Sequence, residues 1–298
     1  MAAETGKGRD QARGLGKMGK VAAGFRVAAV LALVVSASGA LAQSVPLSPQ
    51  AANTIGDDPI CTDRPTKANN ACSVPKGVVQ IEAEALNWSR LNAGGARSDV
   101  FAYASPTIKL GLSDSSDVQL TLTPLVELRN RVAGRTASHT GFGDMFLRYK
   151  QRITAKDARF ELALIPYIKA PTAKTGIGNG EWEGGISVPV QYALTDRWSL
   201  TVNPQLSLLA GAADPDERHL ELQTVLNLGY QLTTRTSFAA EVWTSQNWDP
   251  SGTVRQYSAD LAIAHLLGDE LQLDGGVNFG LNQATADVQV YAGVSARF

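Results

Sequence analysis

A chain of 298 residues with a formal net charge of -1 and only 18% charged residues offers no global field for nucleic acid or for an acidic substrate. Its mean hydropathy of -0.08 resembles that of a soluble protein. A membrane barrel has the same value, because half of every strand faces water. Beyond the N-terminal region no apolar run reaches the ~18 residues that a membrane helix needs. Helical spanning is excluded and barrel spanning is not.

In chain order, the first feature is basic and then apolar. Lys17, Lys20 and Arg26 precede the run Val27 to Val35, and Ala40-Leu41-Ala42 follows. A basic region, a short apolar core and an A-x-A end predict a secretory signal peptide over residues 1–42. The polar stretch before Met18 makes Met18 an alternative start to Met1. Export would deliver the mature chain to an oxidising compartment, the periplasm of a Gram-negative cell.

Cys61 and Cys72 are the only cysteines. An even count in an exported chain predicts a disulfide, here closing a small polar surface loop. With no second cysteine pair and no nearby histidine, a metal site is not expected. Residues 43–77 therefore read as a periplasmic N-terminal arm ahead of the first strand.

From Val78 to Phe298 the sequence alternates with a period of two. In Phe160 to Lys169, one face carries Phe160, Leu162, Leu164, Pro166 and Ile168, and the other carries Glu161 and Lys169. The alternation predicts strands near 78–88, 97–111, 117–128, 142–153, 159–170, 185–194, 197–210, 218–232, 236–247, 254–267, 271–281 and 287–298. Short turns such as Ser113 to Ser116, Thr195-Asp196 and Gly268 to Glu270 alternate with generally longer loops: Ser89 to Ala96, Arg129 to Gly141 and Pro171 to Gly184. An even set of about twelve strands with this asymmetry predicts an all-β fold. The architecture is a transmembrane, antiparallel, up-and-down β-barrel over residues 78–298, with both termini in the periplasm.

The apolar faces include Val118/Leu120/Leu122/Pro124/Val126, Leu220/Leu222/Leu226/Leu228 and Val288/Val290/Ala292/Val294. No charge falls mid-strand on them, as lipid contact requires. Tyr149, Phe160, Tyr192, Trp198, Tyr230, Phe238 and Phe298 fall on the same parity near the short turns, which predicts a periplasmic aromatic girdle. The terminal Phe298 is similar to the signal read by barrel assembly machinery.

The opposite parity assigns Glu82, Glu84, Lys109, Glu127, Asp144, Arg148, Lys150, Glu161, Lys169, Glu241, Asp260 and Asp274 to the lumen, with Arg159, Glu221 and Arg297. Such charges need partners or water in a narrow interior. They would form a stabilising network of ion pairs or the lining of a solute path. Twelve strands enclose less space than a general porin, so any path should be narrow or blocked by an inserted segment. Residues 43–77 are a candidate for that segment.

Several short motifs carry a family resemblance: Asp63-Arg64-Pro65, Gly77 to Glu84, Gly141-Phe142-Gly143-Asp144, Ala170-Pro171 with its glycine-rich sequel, and Gly293 to Phe298. Over roughly residues 60–298 the chain resembles the outer-membrane transporter family linked to the meta-pathway of phenol degradation. The resemblance implies a barrel that admits small, often aromatic or hydrophobic compounds, and it implies no catalytic residues and no cofactor. Outer-membrane lipid, the assembly machinery and a small solute are the expected partners, and nucleic acid is not. The alternatives are a structural barrel without a solute path and an outer-membrane hydrolase. The hydrolase would depend on His139, but Thr140 and Gly141 follow it rather than a histidine-x-serine pattern, and no G-x-S-x-G elbow is present. The expectation is therefore non-enzymatic. Gly176 to Gly180 lacks the lysine and helix of a phosphate loop, and Trp182 and Trp248 read as loop anchors at the membrane surface.

Overall fold

The computed structural model describes residues 58–298, apart from residue 157. The signal peptide, both alternative starts and the first part of the arm lie outside the described residues. Fifteen strand segments follow in order: β1 (Val79–Ala93), β2 (Ala96–Ser113), β3 (Ser116–Thr121), β4 (Leu125–Val132), β5 (Arg135–Gly141), β6 (Met145–Arg152), β7 (Phe160–Ala170) and β8 (Glu183–Ser187). The rest are β9 (Val190–Ala193), β10 (Trp198–Ala210), β11 (Arg218–Gln231), β12 (Thr236–Asn247), β13 (Val254–Leu266), β14 (Leu271–Gly280) and β15 (Val288–Arg297).

Every neighbouring pair is antiparallel, and β1 pairs with both β2 and β15, so the sheet closes. Three barrel strands are each broken into two segments. β3 with β4, β5 with β6, and β8 with β9 make single staves, which reduces the fifteen segments to a closed twelve-stranded barrel. The breaks have local causes. Pro124 and Pro189 lack the N–H that a ladder needs, and Gly143 approaches Thr123 so closely that a Cβ would lie 2.9 Å from its side chain.

Two of the expected loops are instead hairpin extensions. Ser89 to Ala96 is strand up to a two-residue turn at Gly94-Gly95, and Arg129 to Gly141 is strand around Ala133-Gly134. All four turn residues have positive φ, as a tight type I′ hairpin requires. The alternation of Arg131, Thr136 and Ser138 lacked an apolar face, which is why the sequence pattern missed β5. It has no lipid or core to meet, and all but Gly141 of it is exposed.

The outer belt is apolar. Leu147, Ile168, Leu206, Leu226, Val242, Ile263 and Leu273 are all exposed, at positions where a soluble surface would carry charge. Tyr149, Phe160, Tyr192, Trp198, Phe238 and Phe298 are exposed near the short turns, and Tyr230 packs on Trp198 with ring centroids 4.5 Å apart. Phe298 exchanges backbone hydrogen bonds with Val79, which seals the first strand to the last.

The parity does not hold along the whole of β1, β2 and the β3/β4 stave. Gln80, Glu82 and Glu84 face inward, but beyond a bulge at Ala85 it is Ser89 and Leu91 that are buried. On β2 the exchange occurs at Ala104, whose φ is +49°, and on the third stave at Leu122 to Pro124. Cα pairing stays in register across the exchange, from Thr107 opposite Thr121 to Tyr103 opposite Leu125. Above it Val126 and Leu128 point inward, and Leu125 and Glu127 point outward. Two sequence assignments are thereby corrected: Glu127 is not in the lumen, and Val126 does not face lipid. A period of two carries a face assignment only as far as the strand stays regular.

Leu226 lies on β11 opposite Val202 and Val242, four residues above the girdle ring of Tyr230. Placing an arginine there puts a charge near the middle of the hydrocarbon. Leu226→Arg should destabilise the folded barrel by about 2–4 kcal/mol in reversible denaturant titration in lipid vesicles.

Candidate functional site: a plugged lumen

The inward residues of the short-turn half meet the arm. Ile60 enters beside the short turn before β14, its N–H donating to the Asp269 carbonyl at 2.6 Å. Cys61 and Cys72 are bridged, with Cα atoms 6.5 Å apart. The loop they close is not at the surface. Thr62, Asp63, Arg64, Thr66, Ala68, Asn69, Asn70 and Ala71 are all buried within the barrel. The expected surface loop is thus a plug, stabilised by lumen side chains that its polar composition was chosen to satisfy.

Asp63 is its centre. Lys150 Nζ donates to both carboxylate oxygens, at 2.6 and 2.8 Å, and Lys109 donates to Oδ2. The Asp63 N–H donates to the Glu82 carboxylate at 3.0 Å, and Lys109 also pairs with Glu82 at 2.6 Å. Burial alone would push the Asp63 carboxyl up, but the two ammonium groups outweigh it and hold the carboxyl well below the usual range. Arg64 lies 2.8 Å from Asp274 and 3.5 Å from Glu84. Burial opposes its charge, and these two carboxylates outweigh burial and raise its pKa.

The far side of the loop reaches the opposite wall. Lys67 Nζ donates to Asp260 at 2.9 Å and to Ser258 at 2.7 Å, above the Trp243 ring. The N–H groups of Lys67 and Ala68 both donate to the Glu241 carboxylate, at 2.8 and 3.1 Å. Asn69 bonds to Asn203, and the Val74 N–H donates to Asp117. Partners on β1, β2, β3, β6, β10, β12, β13 and β14 surround one short loop, so the arm spans the cross-section.

Of the remaining charges, Lys169, Asp144, Glu183 and Glu221 lie toward the long-loop end. Lys169 pairs with Glu183 at 2.7 Å and with Asp144 at 3.4 Å, and it donates to Asn179 of the Pro171 to Trp182 loop at 2.6 Å. Arg148 donates to Thr121 at 2.5 Å, and Glu161 is half-buried opposite Gln191. Glu221 accepts from Ser245 at 2.8 Å and Gln223 at 2.9 Å. On the exchanged face, Glu127 pairs instead with Arg129 outside the barrel.

Above the plug the lumen changes character. Leu91, Val100, Val126 and Leu128 form a buried apolar patch on the inner wall, and Ile177 from the same loop packs into it. Sequence reasoning missed this patch because it lies beyond the face exchange. It also missed the arm residues Asp63, Arg64 and Lys67. Their signal was in the lumen itself: inward acids in the lower half outnumber inward bases, and Arg64 and Lys67 pair with three of those acids, Glu84, Asp274 and Asp260.

Asp63→Asn would leave Lys109 and Lys150 buried without their shared counter-charge. Removing one partner of such a group costs about 3–5 kcal/mol. Amide hydrogen exchange should show the arm amides losing protection while β10 to β13 keep theirs. In the unsubstituted protein the lowered Asp63 pKa gives the opposite stability at mild acid. Its contribution is whole above the free-carboxylate value of 3.8 and falls away only as pH drops below it. Read as the difference from Asp63→Asn, the Asp63 contribution to arm protection should therefore be constant from neutral pH down to that value.

Comparison with known proteins gives the same architecture. An outer-membrane channel from Pseudomonas putida F1 superimposes with a TM-score of 0.61 at 14% identity, covering 83% of this chain and 100% of that one. The NanC porin gives a TM-score of 0.48 at 8% identity, over 74% of this chain and 99% of that one. The KdgM porin gives 0.45 at 8% identity, with the same coverage. No curated protein matches the chain. The family described as "Putative MetA-pathway of phenol degradation" matches residues 62–298, and the chain belongs to it.

Proposed function

We propose that the chain is a passive outer-membrane channel for small apolar compounds, aromatic ones among them, held closed at rest. The observation that carries this reading is the apolar patch of Leu91, Val100, Val126 and Leu128 inside an otherwise polar lumen. A structural barrel has no need of an oily pocket on its inner wall, and a porin for ions or sugars would be hindered by one. Ile177 fills the patch as a small apolar solute would, from a loop whose Gly176 has a φ of +86°.

Two further facts support it. The family is described in terms of phenol degradation, and the structurally similar Pseudomonas putida protein is an outer-membrane channel. On this reading the N-terminal signal segment is removed on export to a Gram-negative periplasm. Phe298, at the seam with Val79, is what the assembly machinery engages. The lumen charges then hold the plug, and Lys169, Asp144 and Glu183 hold the upper loop. The site is read as a conduit rather than a hydrolase, since His139 lies against the Gly176 turn instead of a serine hydroxyl.

Uptake into liposomes of phenol, catechol and a sugar of similar size is the test. Ile177→Ala combined with Asp63→Asn should speed passage of the aromatic solutes about tenfold or more over the unsubstituted barrel, and that of the sugar less. If the folded double variant passes no aromatic solute faster than lipid alone, the channel reading fails.

A further inference from the structure

The face exchange places an unusual group of residues outside the barrel. Leu86, Tyr103 and Leu125 share one row of the outward face and continue the apolar belt, and the next row holds Trp88, Phe101 and Glu127. Still higher on the same face lie Arg90, Arg97, Arg129 and Arg131 with Asp99, and Asp287 accepts there from the Asn92 side chain at 2.6 Å. Four arginines against three carboxylates leave an excess of one positive charge.

The acids are already committed. Asp99 accepts from Arg90 at 2.8 Å and from Arg97 at 2.6 Å, and Glu127 is held by Arg129 at 2.6 and 2.9 Å. Arg131 has no such partner among the described residues, and it is paired across the ladder directly opposite Arg97. Like charges in that position repel. They line one cleft of about 430 Å³, whose remaining walls are Asn92 and the two adjacent hairpin turns at Gly94-Gly95 and Ala133-Gly134. Three of the four central turn residues are glycine, so little side chain fills the cleft.

We propose that this cleft binds a phosphate group of an outer-leaflet glycolipid, with Arg97 and Arg131 as its ligands. A phosphate oxygen pair suits two facing guanidinium groups and removes their mutual repulsion. The source follows from height and direction. Arg97 and Arg131 share the outward parity of Phe101 and Glu127 and lie four residues beyond them, past the rings that mark the interface, on the side of the wall where lipopolysaccharide phosphates lie. The inference does not depend on the channel reading, because the cleft is on the opposite face from the lumen.

Native mass spectrometry of the full-length barrel in detergent, titrated with lipopolysaccharide, is the test. The unsubstituted protein should retain one lipopolysaccharide. Arg97→Ala/Arg131→Ala should weaken retention about tenfold or more, as loss of charged hydrogen bonds implies. Arg218→Ala, an arginine of another long loop paired with Glu181, should leave retention unchanged. Lipopolysaccharide stripped of phosphate should behave toward the native protein as the intact lipid does toward the double variant. Equal retention by the native protein and a double variant that still shows heat-modifiable mobility would overturn the proposal. So would equal retention of the dephosphorylated lipid. Inorganic phosphate binding as tightly as the lipid would overturn the assignment to a membrane component.

Discussion

The closed wall of this barrel encloses more charge than its own strands can neutralise, and the rest of the structure answers that constraint. Glu82, Glu84, Asp117, Glu241, Asp260 and Asp274 all face the lower lumen. Isolated in a narrow interior, each would be too costly to remain ionised. The arm meets the excess with Arg64 and Lys67 and with backbone N–H groups, and Asp63 in turn satisfies Lys109 and Lys150. Plug and wall are therefore a single electrostatic unit. The disulfide keeps the loop compact enough to place these groups together, and it gains by restricting the free arm.

The wall itself has two regimes. Below Ala85, Ala104 and Leu122 to Pro124, a polar interior faces the plug and an oily exterior faces lipid. Above them on three staves, the interior turns oily and the exterior turns polar. The same interruption thus creates both the pocket that Ile177 fills and the outward arginine group. Neither feature would exist on strands that kept their alternation to the end.

Most of the architecture was legible because lipid and water impose opposite demands on successive residues. Leu222, Leu226 and Leu228 on β11 could not be mistaken for anything but an oily face, and Glu221 beside them marked the interior. Such reasoning assumes regular pleating, so Glu127 was placed on the wrong side of the wall as soon as Pro124 broke the stave. The hairpin β4–β5 was unreadable for a different reason. Both of its faces above the membrane meet water, and no alternation survives where nothing is buried. The partners of the plug were hidden because its contacts pair residues up to 210 positions apart, Arg64 with Asp274 among them. Local pattern carries no record of such a partner.

The ring is sealed where β1 meets β15, so its first and last strands come together only once the entire polypeptide is available. Contacts that distant in sequence are slow to form. Because the arm immediately precedes β1, that late zipping event also carries Asp63 and Arg64 between the walls. Cys61 and Cys72 are then half-buried beside the plug, so their oxidation is easiest before insertion, while the segment is still within reach of soluble catalysts.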